Sequence, residues 1–479
     1  MARAAYGYDD RYLITVTGRV DGASSLAPGN KYFTYPAVGL GWNIINEKFM
    51  KKYTFVNNLK LRGGYGISGN RNVAPYSTLG ELTPSAYNFG STGQLAYTLT
   101  NLANPNLGWQ STGQYDIGLD FALFNNRITA NIDVYKQNTK DILLSVNLPP
   151  STGTGTTFEN LGKTEGKGFE INLSTVNIQT KGGFNWSSDF SFSMNREQIT
   201  ELTTPQQQFD KGNGWFVGQP INVIYDVKKI GIWQIGDSPG IDPSKSQANG
   251  AVYLPVRGQT SPAQYPGQIR VEDIDNNGVI NANDRQILGT FQPKWEGGFT
   301  NRFSYKAFDL SVVTFARMGM KVLVPYMTAD GGSAGFAFFN QSRVNQIRTN
   351  YWTVNNPTND FPAPDASTDR LLYGSTLGYR DGSFIKMRSI NVGYTFPSKL
   401  VQKIRMSSLR VYANVTNPFI LYSPLVKSGL AIDPEGNGYG GSVASAGGDG
   451  QAAVPNRQIS VNLNNPSIRQ FTFGVNAKF

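Results

Sequence analysis

Histidine and cysteine are both missing from this 479-residue chain. Without them there is no Ser-His-Asp or Cys-His catalysis, no imidazole or thiolate zinc site and no disulfide framework. Long apolar runs are missing too: nothing approaches the ~18 consecutive apolar residues of a membrane-spanning helix. Any membrane contact must then run through β-strands, whose backbone groups satisfy one another between strands. Charge is sparse, at 16% of residues. No paired-carboxylate motif and no glycine-rich phosphate loop ahead of a helical pattern stands out, so the chain is not expected to be an enzyme. Lysine and arginine outnumber aspartate and glutamate by 43 to 33, a formal charge of +10. The basic residues are scattered, without the runs or aromatic interleaving of a nucleic-acid surface, so no nucleic acid is expected as partner. The excess suits anionic partners such as lipopolysaccharide phosphate or an acidic solute.

Glycine (53), phenylalanine (28) and tyrosine (24) are plentiful. The C-terminal residues sort by parity: Arg469, Phe471, Phe473, Val475, Ala477 and Phe479 fall on one face, and Gln470, Thr472, Gly474, Asn476 and Lys478 on the other. An apolar face toward lipid and a polar face toward a lumen is the pattern of a transmembrane barrel strand. Phe471, Phe473, Val475 and Phe479 then mark a C-terminal barrel-assembly strand. An edge strand of a soluble all-β domain is the alternative on this segment alone.

The spacing of strand candidates favours the barrel. Tyr115, Ile117, Leu119, Phe121 and Leu123 alternate with polar or small residues, as do Ile128, Ala130, Ile132 and Val134, and only Phe124-Asn125-Asn126-Arg127 separates them. Paired asparagines tolerate positive φ and suit a two-residue hairpin turn. Connections alternate in length along the chain. Short ones fall near 8–10, 46–56, 124–126, 178–182, 306–307 and 397–406; long ones near 23–32, 69–111, 139–163, 196–296, 319–382 and 418–466. Short periplasmic turns and long extracellular loops are what an outer-membrane barrel has. The expectation is an all-β, transmembrane antiparallel β-barrel embedded in outer-membrane lipid, with residues 1–479 supplying about 13 strands of a larger barrel. The N-terminal residues carry no apolar export segment, and the strand number is odd, so the chain reads as the C-terminal part of something longer.

One motif has the look of a metal loop. From Asp273, oxygen-bearing side chains recur at the first, third, fifth, ninth and twelfth positions of a calcium loop: Asp273, Asp275, Asn277, Asn281 and Asp284. Gly278 takes the sixth position, and Val279 would offer its carbonyl. The ion expected is a structural Ca2+. The plainer alternative is a turn held by its own Asx hydrogen bonds. Aromatics near strand ends, among them Tyr6, Tyr8, Tyr12, Trp42, Trp109, Trp186, Tyr373 and Tyr379, suit interfacial girdles or loop packing, and some could stack on sugar rings.

Several collinear segments resemble the SusC/RagA-type TonB-dependent outer-membrane transporters of Bacteroidota. They run from DRYLITVTGRVDGASSLAPGNKYFTYPAVGLGWNI (10–44) through LKLRGGYGISGN (59–70), NIDVYKQNTKDILL (131–144), GIWQIGD (231–237), DIDNNGVINANDRQILG (273–289) and FIKMRSINVGYTFP (384–397) to FTFGVNAKF (471–479). The resemblance implies a plugged barrel driven by TonB-ExbB-ExbD, a SusD-like surface lipoprotein as lid, and oligosaccharide or peptide substrates too large for porins. Plug and TonB box have no counterpart in this sequence, and plugged transporters have about 22 strands. The competing reading is a structural or adhesive calcium-binding surface protein.

Overall fold

The computed structural model describes all residues except 72, 149, 205, 212–213, 236–265, 278–279, 328–348, 364–372, 432, 436–458 and 462–466. Its main body is one antiparallel meander. The first strands are β1 (Ala2–Tyr8), β2 (Tyr12–Gly22), β3 (Tyr32–Asn43), β4 (Val56–Asn70), β5 (Gln110–Leu123), β6 (Ile128–Asn147) and β7 (Thr156–Gln179). The rest are β8 (Phe184–Glu201), β9 (Trp295–Tyr305), β10 (Phe308–Met318), β11 (Phe384–Thr395), β12 (Ser408–Tyr422) and β13 (Gln470–Lys478). Each pairs with the next in the chain, giving the thirteen strands that the alternation predicts, with β1 and β13 at the edges.

Parity in one strand is matched by register in the next. Leu61 lies opposite Leu119, Leu119 opposite Ile132, and Ile132 opposite Ile171. Farther along, Phe190 lies opposite Phe299, Leu310 opposite Val392, and Ala413 opposite Phe473. The result is a continuous apolar outer face. Its side chains are bare: Ile117 is 63% exposed and Phe473 79%. A contiguous surface of this kind is stable against hydrocarbon and unstable in water. On β5 the apolar outward positions run from Leu123 to Tyr115, close to the ~9–11 residues that a tilted strand needs to cross a bilayer. Level with Tyr115 the outer face of the next strands turns charged: Lys136, opposite Tyr115, and Lys167, opposite Lys136, each lie 2.6 Å from Glu165.

The joins confirm the polarity of the wall. At one end none exceeds twelve residues, the joins covering 9–11, 44–55, 124–127, 180–183, 306–307 and 396–407. At the other, 23–31 and 148–155 are also brief, while 71–109, 202–294, 319–383 and 423–469 are far longer. Three details differ from expectation. Most of 139–163 is strand, because β6 and β7 continue beyond the apolar band. There both faces are wet, so polar residues such as Gln137, Asn138 and Thr139 no longer betray a strand by alternation. The join between β5 and β6 is four residues long, with Phe124, Asn125 and Asn126 all at positive φ. Finally, the 71–109 connection contains a hairpin, Glu81–Phe89 with Thr92–Asn101.

The long connections share a core of their own. Val227, Ile232, Ile269, Val322, Leu377 and Leu425, drawn from three different connections, are all buried in one cluster. A second, smaller cluster of Ala23, Leu26, Val73 and Leu107 ties the 23–31 and 71–109 connections together.

Candidate functional site

Inward-facing positions of the wall carry paired charge. Arg62 Nε and Nη2 donate to Asp120 at 2.8 Å each, and Nη2 reaches Asp133 at 2.9 Å. Asp120 and Asp133 lie on β5 and β6, so Arg62 bridges three strands across Gly118. A Cβ on Gly118 would fall 2.6 Å from the Arg62 guanidinium carbon. The same arrangement recurs at the far side of the wall. Arg410 on β12 crosses Gly393 on β11 to reach Asp309 on β10, with Nε donating at 3.0 Å and Nη2 at 2.6 Å. Asp189 joins Arg302 and Ser174, and Glu296 joins Arg317. Such a face is charged and polar, as the side of a barrel wall turned away from lipid is.

At the outer end a buried cation fastens a loop to the wall. Register between β10 and β11 skips Arg388, so a bulge there takes Lys386 off the parity of Ile390 and Val392. Lys386 is 1% exposed, and its Nζ lies 2.7 Å from Asp433 and 3.2 Å from Glu435. Arg388 also pairs with Glu435. In the loop core, Asp226 accepts from Ser375 Oγ at 2.7 Å and Tyr379 OH at 3.1 Å. Lys229 Nζ donates to the Asn359 carbonyl at 2.6 Å. Burial and the nearby Arg380 charge hold the Lys229 ammonium below the usual lysine range.

The predicted metal loop is compact. Asp273, Asp275 and Asp284 bring carboxylate oxygens within 4.8 Å of one another. Asp284 is fully buried; its Oδ1 accepts from Ile274 N at 2.9 Å and its Oδ2 from Asn281 N at 2.7 Å. Asn281 in turn caps the short turn 282–284 by accepting from Asn283 N at 2.8 Å. The Asn277 amide group donates to Asp275 Oδ2 at 2.8 Å, and Val279 lies outside the described residues. Three convergent carboxylates form a hard-oxygen donor set, and hydrogen bonding leaves lone pairs on each, so the residues fit a calcium ion.

The C-terminal residues Phe471, Phe473, Val475 and Phe479 stand bare on the outer face. The predicted aromatics divide. Tyr12 and Trp42 stack on the outer face at 6.5 Å and both donate to Glu47, at 2.8 and 3.0 Å. Trp186 stacks on Phe303 and covers Asn301, to which its Nε1 donates at 3.0 Å. Trp109 packs with Phe33 and Tyr35 in the outer end, while Tyr373 and Tyr379 belong to the loop core. Sequence reasoning missed the Lys386 latch. Its only early signal was a lysine out of phase in an otherwise alternating strand.

A family description, TonB-dependent receptor-like β-barrel, matches residues 1–418. Among curated proteins, TonB-dependent receptor P26 of Formosa agariphila is 32% identical over 96% of this chain and 45% of its own length. TonB-dependent receptor SusC of Bacteroides thetaiotaomicron is 28% identical over 90% of this chain and 42% of its own length. The chain thus spans less than half the length of the curated relatives it matches. Among solved structures, the RagAB peptide importer in its open-open state superposes over 100% of this chain and 46% of that chain, with a TM-score of 0.69 at 22% identity. That likeness is one of fold.

Proposed function

The chain belongs to the TonB-dependent receptor β-barrel family of outer-membrane transporters, and from that premise we propose that it forms the wall and outer loops of an importer of oligosaccharides or peptides. The observation that carries this reading is the two-faced wall: a registered apolar exterior, an ion-paired interior, and long connections with their own core at one end only. Energy would come from TonB-ExbB-ExbD, and a SusD-like lipoprotein would close over the loop core. Solute would be held by hydrogen bonds and released when the complex is worked by TonB. The test is uptake of a labelled oligosaccharide or peptide pool by cells carrying the full-length gene, with and without TonB. Uptake that disappears without TonB supports the proposal; uptake that persists contradicts it.

We further propose that the 273–284 loop binds Ca2+ as a structural ion. Asp273, Asp275 and Asp284 would hold it, with Asn277, Val279 and Asn281 adding oxygens. The bound ion would neutralise carboxylates that otherwise repel one another and so order this loop. Metal analysis of the intact protein should find calcium that Asp273→Ala removes. Calcium-free protein at millimolar supply would sink the idea.

A further inference from the structure

The six short joins carry ten lysines and arginines against three carboxylates, a surplus of seven where the whole chain has ten. Most of the molecule's net charge is therefore concentrated on one rim. Two joins dominate: 44–55 contributes Lys48, Lys51 and Lys52, and 396–407 contributes Lys399, Lys403 and Arg405, all exposed. Arg11 on the same rim is neutralised by Asp9 and Glu47, whereas these six have no carboxylate partner among the described residues.

Charge alone would suit open water, but the same joins expose apolar side chains between the cations. Phe49 is 52% exposed, Leu400 53% and Ile404 56%, and Phe55 stacks on the equally bare Phe124 at 5.7 Å. The second join is helical from Ser398 to Ile404. Leu400 and Ile404 therefore fall one turn apart, beside a parallel pair of Lys399 and Lys403. An apolar stripe flanked by cations is how a segment sits at a lipid interface, with its hydrocarbon in the acyl region and its ammonium groups at headgroup level. In an outer-membrane barrel the short turns are periplasmic. This rim consequently meets the inner leaflet, where negative headgroups attract clustered basic residues.

We propose that the short-join rim is a binding surface for anionic phospholipid headgroups, anchored by the joins 44–55 and 396–407. The proposal rests on the membrane reading given above. It is tested on the full-length gene product in nanodiscs of phosphatidylethanolamine and phosphatidylglycerol, by measuring which lipids remain on the protein after partial delipidation. Phosphatidylglycerol should be retained several-fold above its bulk fraction, less so at high salt, and fall to parity when Lys48, Lys51 and Lys52 and Lys399, Lys403 and Arg405 are changed to glutamine. The two triple variants, made separately, each reduce retention part way and serve where the sixfold variant does not fold. Bulk-fraction retention by the unaltered protein, as when the true occupant is an acidic periplasmic protein, overturns the proposal, as does enrichment that survives all six changes. Failure of the unaltered protein to enter nanodiscs as a heat-modifiable folded barrel would strike instead at the membrane reading.

Discussion

Glu47 shows how much one carboxylate organises. It closes the join after β3 by accepting from Tyr12, Trp42 and Arg11, and those hydrogen bonds, Tyr12 first, hold its carboxyl below the ordinary value of 4.5. A depressed folded pKa stabilises above the unfolded value and is lost as pH falls through the folded one. Trp42 fluorescence should therefore be steady at neutral pH and change below pH 4.5 in the intact protein. Glu47→Gln should remove that acid transition and weaken the Tyr12–Trp42 stack at every pH. An unchanged transition in the variant would assign it to another group. The same economy appears at Gly118 and Gly393, where the missing side chain leaves room for an arginine to cross a whole strand to a carboxylate.

At the scale of elements, strands were legible and loops were not. Parity works where one face meets lipid, so Ile117, Leu119 and Phe121 announce β5 without help. It fails where β6 and β7 rise into water, and at Arg388, where one bulged residue reverses the faces of β11. The loop core was illegible for a different reason: Val227, Val322 and Leu377 come from short apolar pieces far apart in the chain, with no period to link them. For the proposed calcium loop, the spacing of Asp273, Asp275 and Asp284 in sequence corresponds to their convergence in space. The Lys386 latch is the element-scale feature with the largest expected effect. Removing one partner of a buried ion pair costs about 3–5 kcal/mol, because the other charge stays buried and unpaired. Lys386→Met should therefore free the segment around Leu430 and Asp433, seen as faster amide exchange there, while the β11–β12 ladder stays protected. Equal protection in both proteins would show that the loop core alone holds the segment.

For the whole molecule, one asymmetry orders the rest. Short joins and surplus positive charge lie at one end; the longest connections, with their own core, lie at the other. The wall between them depends on opposite faces of the same strand meeting lipid and polar surroundings. The most direct measurement places a fluorophore on single cysteines, Ile117→Cys or Asp116→Cys, in the full-length protein with any other cysteines replaced. The protein is then reconstituted with lipids carrying nitroxides in their acyl chains. The account predicts strong quenching at 117 and little at 116. Equal quenching at both, or stronger quenching at 116, would contradict it.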